Sequence, residues 1–246
     1  MKSETENSLV MPVPDSNIEG IKERTDPRLE PAVMSRVEHL FRYRYASRRC
    51  GQTVLDVGCG VGYGSRMVFE TGRRVVGVDV SMDALRYATV RYPGPGYVRA
   101  SGECLPFPAR SFDSVIAFEV IEHLDRHEGL LDELDRVLKP GGDLFISTPN
   151  PRHLWNALRH WLRGAPYPEK LTSENIYHRR EYHYEEFIQI LKDREFSIRS
   201  TFGQTILLRP LNPVFARLRL FKFQVYSGYF IPKYAVTVVV HAAKSS

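Results

Sequence analysis

The chain is poor in the features that mark a stapled, metal-built or membrane-spanning protein. Its three cysteines, Cys50, Cys59 and Cys104, are scattered through 246 residues without metal-site spacing. That excludes a disulfide framework and a cysteine zinc site. No stretch reaches the ~18 consecutive apolar residues that a membrane span needs, and Lys2, Glu4 and Glu6 stand where a signal peptide would require an apolar core. A reducing, cytoplasmic location is therefore expected. Excess charge is also scarce: 34 Lys and Arg against 29 Asp and Glu leave a net charge of +5. With no long basic run there is no strong nucleic-acid signal, although an anionic substrate or a membrane surface is permitted.

What the chain does have is an apolar burst, Val54-Leu55-Asp56-Val57, running straight into Gly58, Gly60, Gly62 and Gly64. Glycine lacks the Cβ that blocks positive φ and close contact, so a buried strand ending in a ligand-embracing turn reads this way. Asp56 stands two residues before the first glycine, where a carboxylate could hold the ligand's other end. Further on, Arg74-Val75-Val76-Gly77-Val78-Asp79 gives a second strand closing on an acid, at the spacing that reaches ribose hydroxyls. The two strands predict an adenosine-type ligand. Asp56 ahead of the glycines and Cys59 among them weigh against a nicotinamide dinucleotide.

Around this turn the pattern alternates strand and helix, which predicts a parallel sheet. Residues 1–30 mix Pro12, Pro14 and Pro27 with charges and read as a flexible arm. After Pro31, Val33, Val37, Leu40, Phe41 and Tyr45 recur at helical spacing, with His39, Arg42 and Tyr43 opposite. That polar face either meets solvent or brings His39 or Tyr43 to a substrate. Ser81 suits the N-cap of a helix with Leu85 and Ala88 inward. Strands are expected over residues 97–100, 111–118 and 143–148, with a helix before the last carrying Leu130, Leu131, Leu134, Val137 and Leu138. Later strands fall at 196–202 and 234–242, after a helix reaching about residue 193.

Two segments interrupt the alternation within the single domain expected over 31–246. One, at about 150–183, carries Trp155, Leu158, Trp161 and Leu162 among basic residues and reads as a lid or substrate wall. The other, at about 203–232, contains a basic amphipathic stretch, 209–223, suited either to packing on the sheet or to peripheral membrane contact.

Leu55-Asp56-Val57-Gly58-Cys59-Gly60-Val61-Gly62 resembles the first motif of class I S-adenosylmethionine-dependent methyltransferases, of the "methyltransferase 11" type. Leu105-Pro106-Phe107-Pro108, Ser111-Phe112-Asp113 and Arg136-Val137-Leu138-Lys139-Pro140-Gly141-Gly142 are similar to the family's later signatures, in the family's order. The resemblance implies a Rossmann-like α/β fold: an open seven-stranded, mostly parallel sheet with helices on both faces and a reversed last strand. It implies S-adenosyl-L-methionine as cofactor, held by Asp56, Gly58, Cys59, Gly60, Gly62, Asp79, Val80, Ser101, Gly102, Glu103 and Glu119. At the position of Ser101 the family commonly has an acid against the adenine amino group, and the departure puts that contact in question.

The fourth strand delivers Glu119-Val120-Ile121-Glu122-His123 to its carboxyl end, the edge where ligands sit in open parallel sheets. Methyl transfer needs an acceptor held in line and often a base. His123 is the leading candidate, because imidazole titrates near neutrality, with Glu119 and His178 beside it and His183 a weaker choice. The preferred expectation is metal-free methylation of a hydroxyl on a small molecule, sugar or lipid-linked glycan. Glu119, Glu122, His123 and His178 also resemble the ligand set of metal-dependent RNA 3′-terminal 2′-O-methyltransferases, a second reading. A third is a non-catalytic, cofactor-binding partner subunit.

Overall fold

A computed structural model describes residues 33–167, 178–205 and 228–245. The arm at 1–30 and the basic stretch 209–223 lie outside the described residues, as do 168–177 of the first interruption and 206–227 of the second. Seven strands form one sheet: β1 (Thr53–Val57), β2 (Arg74–Asp79), β3 (Gly96–Arg99), β4 (Phe112–Phe118), β5 (Leu138–Pro149), β6 (Phe196–Gln204) and β7 (Thr237–Lys244). Their order is β3-β2-β1-β4-β5-β7-β6. The first five pair in parallel, and β7 runs antiparallel between β5 and β6. This is the seven-stranded arrangement with a reversed last strand that the resemblance implies.

Strand periodicity sorts the core onto two faces, because successive side chains point to opposite sides of a sheet. Leu55, Val57, Val115, Ala117, Leu144 and Ile146 face one side, where Leu130, Leu134, Phe187 and Leu191 cover them from α4 (His127–Val137) and α6 (Tyr184–Lys192). Val54, Ile116, Phe118 and Phe145 face the other. There α1 (Val33–Ser47), α2 (Tyr63–Phe69) and α3 (Met82–Arg91) supply Tyr43, Ala46, Val68 and Tyr87. Ser81 caps α3 as expected, its Oγ accepting the Ala84 N–H at 3.2 Å.

Boundaries differ in places from those expected: β7, for one, runs Thr237–Lys244 rather than over 234–242. Helix α2 ends at Phe69, as the chain turns into Gly72 at φ 85°. Strand β5 begins at Leu138 because Leu138 pairs with Phe112 across a register shift. Residues 178–183 stay outside α6, whose N-cap is His183, accepting from the Glu186 N–H at 3.3 Å. Of the two readings of the α1 polar face, the solvated one fails at Arg42 and Tyr43, which are buried.

The sheet reverses its order of travel between β1 and β4, so the carboxyl tips of these two strands open a crevice. Helix α5 (Leu154–Arg163) follows β5 on the same edge and ends on Gly164 in a left-handed conformation. Its Trp161 and Leu162 are 79% and 61% exposed. No helix among the described residues is long and apolar enough to cross a membrane.

Candidate active site at the strand tips

Beyond β1 the backbone turns through Gly58, Gly60 and Gly62 at φ 69°, 54° and 84°, angles that cost an L side chain about 1–2 kcal/mol each. Space is as tight as the angles. A Cβ on Gly58 would stand 2.5 Å from Val120 Cγ2, and one on Gly62 would stand 2.6 Å from Ala88 Cβ. Cys59 ties the turn to β2 by donating its N–H to the Val78 carbonyl at 3.0 Å. Asp79 braces it further, Oδ2 accepting the Gly60 N–H at 2.9 Å and Oδ1 the Ser81 N–H at 2.8 Å. Val80, next along, is 56% exposed at the rim. The bare turn with an acid at the second strand's tip is the cradle that an adenosyl group requires, so these residues fit S-adenosyl-L-methionine.

Asp56 lies beneath this cradle and is fully buried. The Tyr43 hydroxyl donates to it at 3.1 Å and the Ser65 hydroxyl at 2.6 Å. Burial pushes the Asp56 carboxyl up to about 7, against the downward pull of the two hydroxyls. Burial and the neighbouring Asp56 in turn hold the Tyr43 phenol well above its ordinary value. Asp56 thus joins β1 to α1 and α2, and the turn stands on that junction. Tyr43 also explains Gly64, where a Cβ would come within 2.0 Å of the Tyr43 ring.

Ser101, Gly102 and Glu103 form a turn after β3. Ser101 Oγ accepts the Glu103 N–H at 3.2 Å, and its carbonyl accepts from Cys104 at 3.1 Å. A Cβ on Gly102 would be 3.1 Å from Val57 Cγ1, which puts this turn against the tip of β1. The structure thus gathers Asp56, the three glycines, Asp79 and the Ser101 turn at one edge.

The tip of β4 is built differently. Glu119 adopts φ 56° without being glycine, a conformation that persists only where the surroundings enforce it. Here Arg42 Nη1 donates to Glu119 Oε1 at 2.8 Å and Ser147 Oγ donates to the same oxygen at 2.8 Å. The Glu119 N–H also reaches Ser147. One helix turn away, the Tyr63 hydroxyl meets His39 Nδ1 at 2.9 Å, and burial together with Arg42 keeps His39 neutral far below its usual range. Sequence reasoning placed Arg42 and Tyr43 on a polar face but assigned Arg42 no partner. The partner is a residue 77 positions away, which helical periodicity cannot reveal.

Residues Ile121–His123 form a 3-10 turn. His123 is exposed, and its ring meets that of His178 edge-on with centroids 5.0 Å apart. Glu122 is fully buried, and burial followed by the charge of Glu119 pushes its carboxyl well above the usual range. Its carbonyl accepts the N–H groups of Arg179 and Arg180 at 2.8 and 3.2 Å, so the 178–180 segment is pinned against the β4 tip. His178 Nδ1 meets Glu181 Oε1 at 2.6 Å. His123, Glu119 and His178 therefore stand on one edge, whereas His183 serves as a helix cap.

Comparison with known proteins agrees with this fold. Residues 55–146 match the family model described as "Methyltransferase domain". A probable S-adenosylmethionine-dependent methyltransferase of Mycolicibacterium smegmatis is 34% identical over 182 residues, spanning 74% of this chain and 66% of that protein. The chain belongs to the class I S-adenosylmethionine-dependent methyltransferases. A fatty-acid O-methyltransferase of the same organism is 34% identical over 107 residues, 42% of this chain and 39% of that one. The methyltransferase therefore spans less than two thirds of the length of these relatives. The crystal structure of an S-adenosylmethionine-dependent methyltransferase from Mesorhizobium loti superposes with a TM-score of 0.61 at 20% identity, over 82% of this chain and 98% of that one, which supports the fold.

Proposed function

We propose that this methyltransferase carries the methyl group of S-adenosyl-L-methionine to a hydroxyl of a small molecule, sugar or lipid-linked glycan. When bound, the cofactor supplies an electrophilic methyl carbon on a positively charged sulfur. The chain's own part is to hold and to deprotonate. The glycine turn and Asp79 bind the adenosyl end, and Ser101 to Glu103 border its base. The observation that carries the reading is the short path from cradle to imidazole. Val120 lies against Gly58, and His123 follows three positions later with its ring exposed and against His178. An acceptor hydroxyl in the crevice would lose its proton at this histidine corner, and neutral His39 and the locked Glu119 would line the opposite wall. The exposed apolar and basic side chains of α5 suit an amphiphilic acceptor, as does the likeness to an enzyme named for fatty-acid O-methylation.

Incubation of the protein with methyl-labelled cofactor and cell extract fractionated by size and polarity tests this. Label is expected in a low-molecular-weight or lipid fraction as an alkali-stable methyl ether. Label confined to RNA overturns the reading in favour of RNA methylation. Cofactor uptake without any transfer overturns it in favour of a partner subunit.

A further inference from the structure

Glu122, His123 and His178 each bring one ligand-type atom to a common point, all within 4.8 Å of one another. We propose that these three residues form a binding site for a borderline divalent transition-metal ion such as Zn²⁺ or Co²⁺. From the sequence, a metal-free site is the preferred expectation.

Four observations carry the assignment. Two imidazoles and one carboxylate are the donor types that such ions select over Mg²⁺ or Ca²⁺, which prefer all-oxygen shells. Glu122 is fully buried; among the described residues its Oε1 has no hydrogen-bond partner, and Thr148 Oγ1 stands 3.5 Å from its Oε2. A buried carboxylate so poorly satisfied is costly unless a cation offsets it. Glu181, itself buried, meets His178 Nδ1 at 2.6 Å, the carboxylate–histidine pairing that fixes the tautomer and turns Nε2 toward an ion. Finally, the Arg179 and Arg180 N–H groups bind the Glu122 carbonyl, so the distant histidine is held at the β4 tip by backbone rather than by chance contact.

Three donors around an ion at about 2.1 Å stand roughly 3.4 Å apart in a tetrahedron, so the set must tighten slightly. His123 is the exposed member, so it bears the adjustment. Three protein ligands leave a fourth position toward the crevice, as in catalytic rather than structural sites. Resting on the methyl-transfer reading above but replacing its histidine base, because a coordinated imidazole has no lone pair left to take a proton, an acceptor hydroxyl at that position would ionise more readily, its proton passing to solvent. Glu119 takes no part, since Arg42 and Ser147 hold its carboxylate.

The test is metal titration of the full chain after chelator treatment, read by the visible d–d absorption of Co²⁺ and by displacement with Zn²⁺. One Co²⁺ per chain is expected, with a spectrum of low coordination number. His123→Ala, at an exposed position, and Glu122→Gln should each weaken it at least tenfold. Glu181→Gln should weaken it by roughly 10- to 100-fold, as loss of an outer partner does. Circular dichroism of each variant controls for folding. Co²⁺ binding that is absent, or that survives His123→Ala and Glu122→Gln equally, overturns the site. Uptake of demethylated cofactor, followed separately by calorimetry, distinguishes that failure from failure of the methyltransferase reading.

Discussion

The two strand tips that form the crevice solve different problems by different means. At β1 the chain deletes side chains, so that backbone alone shapes a cradle at Gly58, Gly60 and Gly62. At β4 it keeps a full side chain in an equally unusual conformation, Glu119 at φ 56°, and enforces it from Arg42 and Ser147. On the proposed reading, the first tip holds a ligand common to a whole family and needs only space, whereas the second presents charged and titratable groups to an acceptor, each with a partner from elsewhere in the chain.

The largest expected effect breaks the first tip. Gly62→Val imposes a side chain at φ 84° against Ala88 and Tyr97. Calorimetric affinity for demethylated cofactor should fall at least ~100-fold, about 3 kcal/mol. Affinity within a few fold of the parent would show that the turn does not cradle the ligand.

Next comes the dependence of stability on pH. Asp56 binds its proton more tightly folded than unfolded, with the folded value near 7 against an ordinary 3.8. Its contribution is therefore fully present below about pH 4 and is lost as pH rises toward 7, at a slope of up to about 1.4 kcal/mol per pH unit. Glu38 and Glu122, also raised by burial, act in the same direction. Asp113, Glu133 and Glu185, whose values are lowered, act in the opposite sense below about pH 4.5. His39, held neutral by burial, opposes Asp56 below about pH 6.5, so the decisive quantity is the difference between parent and Asp56→Asn. In urea melts from about pH 4.5 to 7 the parent should lose stability relative to the variant as pH rises. A slope unaltered by Asp56→Asn would remove Asp56 from this role.

A smaller effect tests the second tip. Arg42→Met removes the cation from a fully buried position and leaves Glu119, about a quarter exposed, to hold its conformation alone. Unfolding free energy should drop by about 2 kcal/mol, less than the ~3–5 kcal/mol of a fully buried broken pair because Glu119 can reach water. The parent stability would mean that Ser147 suffices. Smallest of all, Ser101→Ala removes one hydroxyl from an already formed turn. Cofactor affinity should change less than ~10-fold, as for a single hydrogen bond, and a larger loss would make Ser101 the adenine contact that the departing acid left open.

The same contrast separates what could be read in the sequence from what could not. The cradle was legible because its causes are local: a strand, glycines at alternate positions and an acid one strand later. The core of α4 and the cap of α3 were legible for the same reason. The polar face of α1 was not, because the face opposite an apolar stripe ordinarily meets solvent. Here it meets Asp56, Tyr63 and Glu119 instead. Nor could spacing join His178 to His123, since the link runs through backbone bonds to the Glu122 carbonyl.

By itself, then, the sequence determined the order of strands and helices, the family and the cofactor turn, because each depends on neighbours within a few residues or on strand and helix periodicity. The tertiary structure alone decided which charges face one another across the crevice. Burial makes that decision: Arg42, Glu119, Glu122 and His178 acquire their roles only where folding removes water and supplies each with partners from distant segments.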